Sequence, residues 1–255
     1  MSHIINETLA GKTALITGGA RGIGKAVALK LAKHGSNITI VYYNSSEEAE
    51  QVCDDIRAMG REALAVQANV SDERSVAEMM ETVNQQFNEI NILVSNAASG
   101  VLKPAMKMST KHWRWCLETN ALALNHLAVQ VTPIMPKGGR ILAMSSLGAI
   151  RAIPNYAFIG ASKAALESLV RSLSVELAPN GISVNTISAG IVDTDALKHF
   201  PNRETLLQEC LDRSLGGRLI VPEDVANTAY LLCLPEAEMI RGQTIFVDSG
   251  YSIIG

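Results

Sequence analysis

The segment Thr17-Gly18-Gly19-Ala20-Arg21-Gly22-Ile23-Gly24 is the first that could do chemistry. It joins a short apolar run to a helix-forming stretch, with glycines at G-x-x-x-G-x-G spacing. Glycine lets a backbone turn tightly and approach a pyrophosphate, and a helix start offers oriented N–H groups to an anion. Gly18, Gly22 and Gly24, with Ile23 between the last two, are therefore a candidate phosphate cradle, although glycines also build ordinary turns. A second set lies further along. Ser145 and Ser146 close an apolar run, and Tyr156 and Lys163 follow with six residues between them. Seven positions advance a helix by about 700° and four by about 400°, so either spacing keeps a phenol and an amine on one face.

A cradle selective for NAD places Asp or Glu about 20 residues downstream, on the ribose 2′-hydroxyl. Here that stretch reads Tyr42-Tyr43-Asn44-Ser45-Ser46, and the first acid is Glu47. Arg21 lies in the loop, where a guanidinium could meet a 2′-phosphate. The residues favour NADPH over NADH, with Asn44 and Ser45 at the adenosine end. Arg21 as a solvated loop residue and Ser45 as a helix cap would both suit an NADH enzyme.

These residues need elements to position them. Short apolar runs recur at Thr13–Thr17, Asn37–Tyr42, Ala63–Val70, Ile90–Ser95, Arg140–Ser145, Ile182–Ser188 and Thr244–Asp248. Each is too short for a helix, several are β-branched, and all read as strands buried on both faces. Helical patterns alternate with them. Gly22–His34 ends at Gly35, Ser45-Ser46-Glu47-Glu48 offers a capping box for a helix ending at Gly60, Ser71-Asp72-Glu73 opens another, and Pro179-Asn180-Gly181 closes a long one. The alternation predicts one doubly wound, Rossmann-type α/β domain over 1–255, with a seven-stranded parallel sheet and helices on both faces. Ligands in such sheets bind at the carboxyl ends of the strands.

Composition agrees with this frame. The 255 residues are 47% hydrophobic but only 4% aromatic, so the core is aliphatic. A net charge of −3 argues against nucleic acid as a partner. The four cysteines form no CxxC pair and the histidines no HExxH, so no metal is expected. No apolar run is long enough to span a membrane, and the first residues lack a signal-peptide layout. The expectation is a cytoplasmic protein.

TGGARGIG, Ser95-Asn96-Ala97-Ala98, Asn120, Ser145-Ser146, the Tyr…Lys pair and GQTIFVDSG together resemble the short-chain dehydrogenase/reductase family, from Gly11 to Gly250. That family usually shows Tyr-x-x-x-Lys. Four residues before Lys163, however, stands Ile159, which cannot donate a proton. The Tyr156-x6-Lys163 spacing resembles its enoyl-acyl-carrier-protein reductase branch. Combined with an ordinary glycine loop, it is similar to the third, NADPH-using type of that enzyme. NAASGVLKP, HWRW, SSLG, DTDALKHFPNR and MIRGQT extend the similarity.

The resemblance implies that Tyr156 holds the substrate oxygen and Lys163 the nicotinamide ribose. Ser145 aligns with the catalytic serine, and Ser146 stands where other enoyl reductases have a second tyrosine; either could take part or simply cap the strand. Asn96 and Ala97 would line the ribose, Asn69 and Val70 the adenine side, and Gly190, Val192 and Thr194 the nicotinamide side. Asn120 matches the family's structural or proton-relay asparagine. Moving the phenol by three residues shifts it about 4.5 Å along a helix, the direction that hydride delivery to a β-carbon requires. A ketoreductase or a catalytically silent nucleotide-binding scaffold remains the alternative.

On the substrate side, the long segment 190–221 reads as a cover. Leu197, Phe200, Leu206, Leu207 and Leu211 would lie over an acyl chain, or form an ordinary helical hairpin face. Lys103, Lys107, Lys111 and Arg114 fall in a window without an acid, suited to docking an acidic acyl carrier protein or merely a solvated face. The resemblance also implies a homotetramer.

Overall fold

The computed structural model describes residues 7–194, 197 and 203–254. Strands β1 (Thr13–Thr17), β2 (Asn37–Tyr42), β3 (Ala63–Gln67), β4 (Ile92–Ser95), β5 (Arg140–Ser146), β6 (Ser183–Ala189) and β7 (Thr244–Val247) form one sheet. Their spatial order is β3-β2-β1-β4-β5-β6-β7, and every neighbouring pair is parallel. Connections run outward in both directions from β1 and β4, so the loops after these two strands diverge and leave a crevice.

Side chains alternate across the sheet with the two-residue period of a strand. Ile16, Ile38 and Ile40 join one apolar cluster with Val27 and Leu31 of α1 (Gly22–Lys33), Val52 and Ile56 of α2 (Ser46–Ala58) and Val225 and Ala229 of α8 (Pro222–Cys233). Their neighbours Leu15 and Leu93 join the opposite cluster. There they meet Val76 and Met79 of α3 (Glu73–Gln86), Leu124 and Leu127 of α5 (Ala123–Val131) and Leu166 and Val170 of α6 (Ala157–Leu177). Each such aliphatic side chain, once fully buried, contributes about 1.5–3 kcal/mol. Two further helices, α4 (Thr110–Leu117) and α7 (Arg203–Asp212), flank the carboxyl ends of the strands. No helix among the described residues is long and apolar enough to cross a membrane.

Three sequence expectations change. The last run is not buried on both faces: in the edge strand β7, Ile245 and Val247 pack against the core while Phe246 is 40% exposed, whereas the other edge strand, β3, places Ala63 and Val66 in opposite clusters. The third strand stops at Gln67, because Asn69 turns the chain by accepting the Ser71 N–H and hydroxyl on Oδ1. The capping box does not form either. Ser45, at the start of α2, makes no side-chain cap, whereas Asp72 accepts the Arg74 N–H at 3.0 Å and caps α3. Gly35, Gly60 and Gly181 do adopt positive φ just beyond their helices.

The two caps look alike in sequence and should behave differently. Asp72→Ala is expected to lower stability by about 1 kcal/mol. Ser45→Ala should leave the denaturant midpoint where it was, as chemical unfolding followed by circular dichroism would show.

Candidate active site

The glycine loop is shaped from both sides of the crevice. Thr17, the last residue of β1, accepts the backbone N–H groups of Asn96 and Ala97 on its hydroxyl, each at 3.0 Å. Asn96 returns two bonds from its amide nitrogen, to the Thr17 carbonyl at 2.9 Å and the Gly18 carbonyl at 3.1 Å. The Asn96 amide nitrogen therefore braces the loop beside the ribose position expected for this residue. Gly24 is forced by the same packing: a Cβ there would lie 2.3 Å from the Gly18 oxygen and 2.6 Å from the Asn96 amide.

Arg21 is exposed at the start of α1, whose first turn carries no acid and whose N-cap makes no side-chain bond. An anion can therefore meet both the helix N-terminus and a guanidinium. Asn44 is exposed and Ser45 partly so at the end of β2. Val70 is buried beside Asn69 past the end of β3. Thr194 faces the loop from the other wall, since a Cβ on Gly22 would come within 3.6 Å of its methyl. Gly190 packs against Ile220 and Asp248, and Val192 pairs with Ile220. These positions surround one crevice, and the absent Cβ atoms leave backbone open to it, so the residues present fit a dinucleotide.

The second set gathers at the end of β5. Tyr156 immediately precedes α6, and its carbonyl accepts the Gly160 N–H at 2.7 Å, so it is in register with the helix that carries Lys163. Its ring lies against Gly148, where a Cβ would come within 2.5 Å of it. Its hydroxyl donates to the Ser146 hydroxyl at 3.3 Å. Burial pushes the phenol above its ordinary pKa, opposed by the bond to Ser146, so it stays protonated and able to donate.

Successive residues of β5 are separated by function. Ser145, which the resemblance aligns with the catalytic serine, donates to the Glu167 carboxylate at 2.6 Å. Ser146 is the serine that meets Tyr156. Lys163 is 5% exposed and donates to the Met144 carbonyl at 2.7 Å. Burial lowers its pKa to about 8, although the neighbouring Glu167 charge opposes the fall.

Asn120 sits in a π-helical turn, Glu118–Leu122, between α4 and α5. It exchanges two bonds with the Ser99 backbone, both at 2.8 Å, and donates to the Ser162 hydroxyl at 2.9 Å. It ties the loop after β4 to α6 by a bulge of the sort that re-aims a side chain. Ile159 packs against Gly100 in the same loop. Glu167, Ser162 and the glycines 148 and 160 were not anticipated as site residues. Glu167 could have been, because it stands one helical turn from Lys163.

The covering segment is only partly as expected. Phe200 lies outside the described residues. Leu197 is buried, Leu206 and Leu207 are half-buried, and Leu211 turns toward solvent. Arg203 clasps Asp193 at 2.6 Å, fixing one end of α7 near the crevice. No cluster of three metal-binding side chains occurs among the described residues.

Known proteins resemble this chain. A family model described as "Enoyl-(Acyl carrier protein) reductase" matches residues 18–252. A 1-cyclohexenylcarbonyl-CoA reductase of Streptomyces collinus is 36% identical over 95% of this chain and 88% of its own length. A 3-oxoacyl-[acyl-carrier-protein] reductase of Staphylococcus epidermidis is 34% identical, over 94% of this chain and 98% of its own. Among solved structures, a short-chain dehydrogenase from Burkholderia cenocepacia in complex with NADP superimposes with a TM-score of 0.89. It is 31% identical and covers 96% of this chain and 99% of its own.

The lowered Lys163 pKa has a definite sign. Below pH about 8 the folded protein carries an ammonium there; above it the charge is lost. Reductive turnover that depends on this charge should fall along an alkaline limb centred near pH 8, read from a pH profile of kcat/KM. Stability moves the opposite way. Between about 8 and the ordinary lysine value of about 10.4, the unfolded chain keeps a proton the folded one has released. Lys163's contribution to stability therefore rises with pH across that window.

Proposed function

The chain belongs to the short-chain dehydrogenase/reductase family and is an oxidoreductase of it, and we propose that it transfers hydride from NADPH to the β-carbon of a 2-enoyl thioester. One observation carries this reading: the only phenol against the β5 serines, among the described residues, is Tyr156, seven positions ahead of Lys163. Ile159, at the usual tyrosine position, is apolar and packed on Gly100.

The nucleotide supplies the hydride when bound. Gly18, Gly22, Ile23 and Gly24 hold its pyrophosphate with the first N–H groups of α1. Arg21, Asn44 and Ser45 take the 2′-phosphate end, Asn69 and Val70 the adenine side, and Ala97, Gly190, Val192 and Thr194 the nicotinamide side. Lys163 holds the ribose hydroxyls. The NADP in the Burkholderia cenocepacia protein supports this assignment.

Hydride arriving at a β-carbon leaves negative charge on the thioester oxygen, and a fixed donor there lowers the barrier. Tyr156, kept protonated by burial, is that donor. Ser146 orients its hydroxyl, and the Lys163 ammonium strengthens it as a donor. The segment 190–221 covers the acyl chain with Leu197, Leu206 and Leu207. A cytoplasmic homo-oligomer belongs to the same reading, supported by four free cysteines and by exposed Val175 and Phe246.

The Staphylococcus epidermidis relative favours a second reading, reduction of a 3-ketoacyl thioester. Crotonyl and acetoacetyl thioesters offered in parallel separate the two by loss of NADPH absorbance. Oxidation with the crotonyl substrate alone is expected, and oxidation with acetoacetyl alone would install the ketoreductase. NADPH binding without either reaction would mean a silent scaffold. Tyr156→Phe should cut turnover by about 10²-fold or more while NADPH affinity holds; surviving activity would move the donor elsewhere.

The carrier is read from charge. Lys103, Lys107, Lys111 and Arg114 are all exposed beside the loop after β4. Charge reversal at Lys107 and Lys111 should raise KM for an acyl-carrier-protein substrate and spare the coenzyme A thioester. Equal effects on both would remove docking from this face.

A further inference from the structure

Lys163 presents an electrostatic problem that the reaction does not explain. The residue is 5% exposed, and its ammonium donates to a neutral carbonyl, that of Met144. An ion removed from water costs several kcal/mol unless a counter-charge and hydrogen bonds replace the solvent. Glu167 lies one turn further along α6 and is also buried, at 8% exposure. Its carboxylate accepts from the Ser145 hydroxyl at 2.6 Å. Met144 and Ser145 are consecutive in β5. Two adjacent strand residues thus hold Lys163 and Glu167, which stand one turn apart on the same helix.

We propose that Glu167 is a positioning residue of the site, acting through Lys163: held by Ser145, its carboxylate is the counter-charge that keeps the buried ammonium in place and charged. The proposal rests on Lys163 serving the reaction as described above. It also gives Ser145 a role, since that hydroxyl is spent on the carboxylate and not on substrate. The groups at this end of the sheet are Met144, Ser145 and Ser146 from β5, Tyr156 ahead of α6, and Glu167 on α6 itself. Among the described residues the charge that acts on the ammonium is Glu167's.

The test follows Lys163 directly, by ¹³C NMR of lysine-labelled protein with the resonance assigned through Lys163→Arg, beside the pH profile of turnover. Glu167→Gln should move the Lys163 titration to the acid side by about one unit or more, as loss of an adjacent opposite charge does. The alkaline limb should move with it, giving a loss of turnover of about tenfold at pH 9 and a much smaller loss at pH 6. Glu167→Asp should restore part of the shift. Ser145→Ala should shift the titration in the same direction, and it serves as the reading if Glu167→Gln does not fold. An unmoved Lys163 titration in the variants overturns the pairing, whatever substrate the enzyme reduces. A titration that moves while the alkaline limb stays overturns the positioning role. A uniform loss at every pH makes Glu167 structural only. Failure of the enoyl reading alone would alter the preferred thioester and leave the titration result standing.

Discussion

All seven strands run in the same direction, and that constraint governs the molecule. A parallel strand cannot return by a tight turn, so each connection crosses a face and brings a helix with it. Both faces are then covered, and the strands must be apolar on both sides wherever they are central. Leu15 and Ile16 of β1 are fully buried in opposite clusters. A further consequence is functional. Parallel strands end on one side, so Thr17, Ser95, Ser146 and Ala189 all finish at the same rim. Polar residues that begin the following loops are gathered there.

Around that rim, polar groups are buried and each must be satisfied or neutralised. The cradle solves this by reciprocity: the Thr17 hydroxyl takes two backbone N–H groups while Asn96 returns two bonds to carbonyls of the opposite loop. The end of β5 solves it by direct hydrogen bonds, with Lys163 on the Met144 carbonyl and Glu167 on the Ser145 hydroxyl. The π-helical turn at Asn120 supplies a third clamp, between the loop after β4 and α6. These networks hold the phenol, the amine and the glycine loop in fixed relation.

Much of the fold was legible because its signals are local. β1 and β2 agree residue for residue with their apolar runs, since a run of buried aliphatics between glycine-rich loops has few alternatives. Helix ends at Gly35, Gly60 and Gly181 were legible for the same reason, as positive φ strongly favours glycine. The departures share a cause. Ser45 resembles a cap in sequence and Asp72 does cap, and the backbone angles that separate them are set by how each loop leaves its strand. β7 reads as doubly buried because apolar content does not reveal that one of its faces is left open at the sheet edge.

The sequence alone determined the parallel α/β architecture, the glycine cradle, and the seven-residue interval between Tyr156 and Lys163. Each depends on residue types at fixed short separations, where chain geometry leaves little freedom. Tertiary structure decided which serine meets the phenol, that Asn96 braces the loop, and that Glu167 meets Ser145. Those outcomes depend on the facing of β5 against α6 and of β1 against β4. A difference of one residue in a strand turns a side chain to the other face, and only the packed sheet fixes which way Ser145 and Ser146 point.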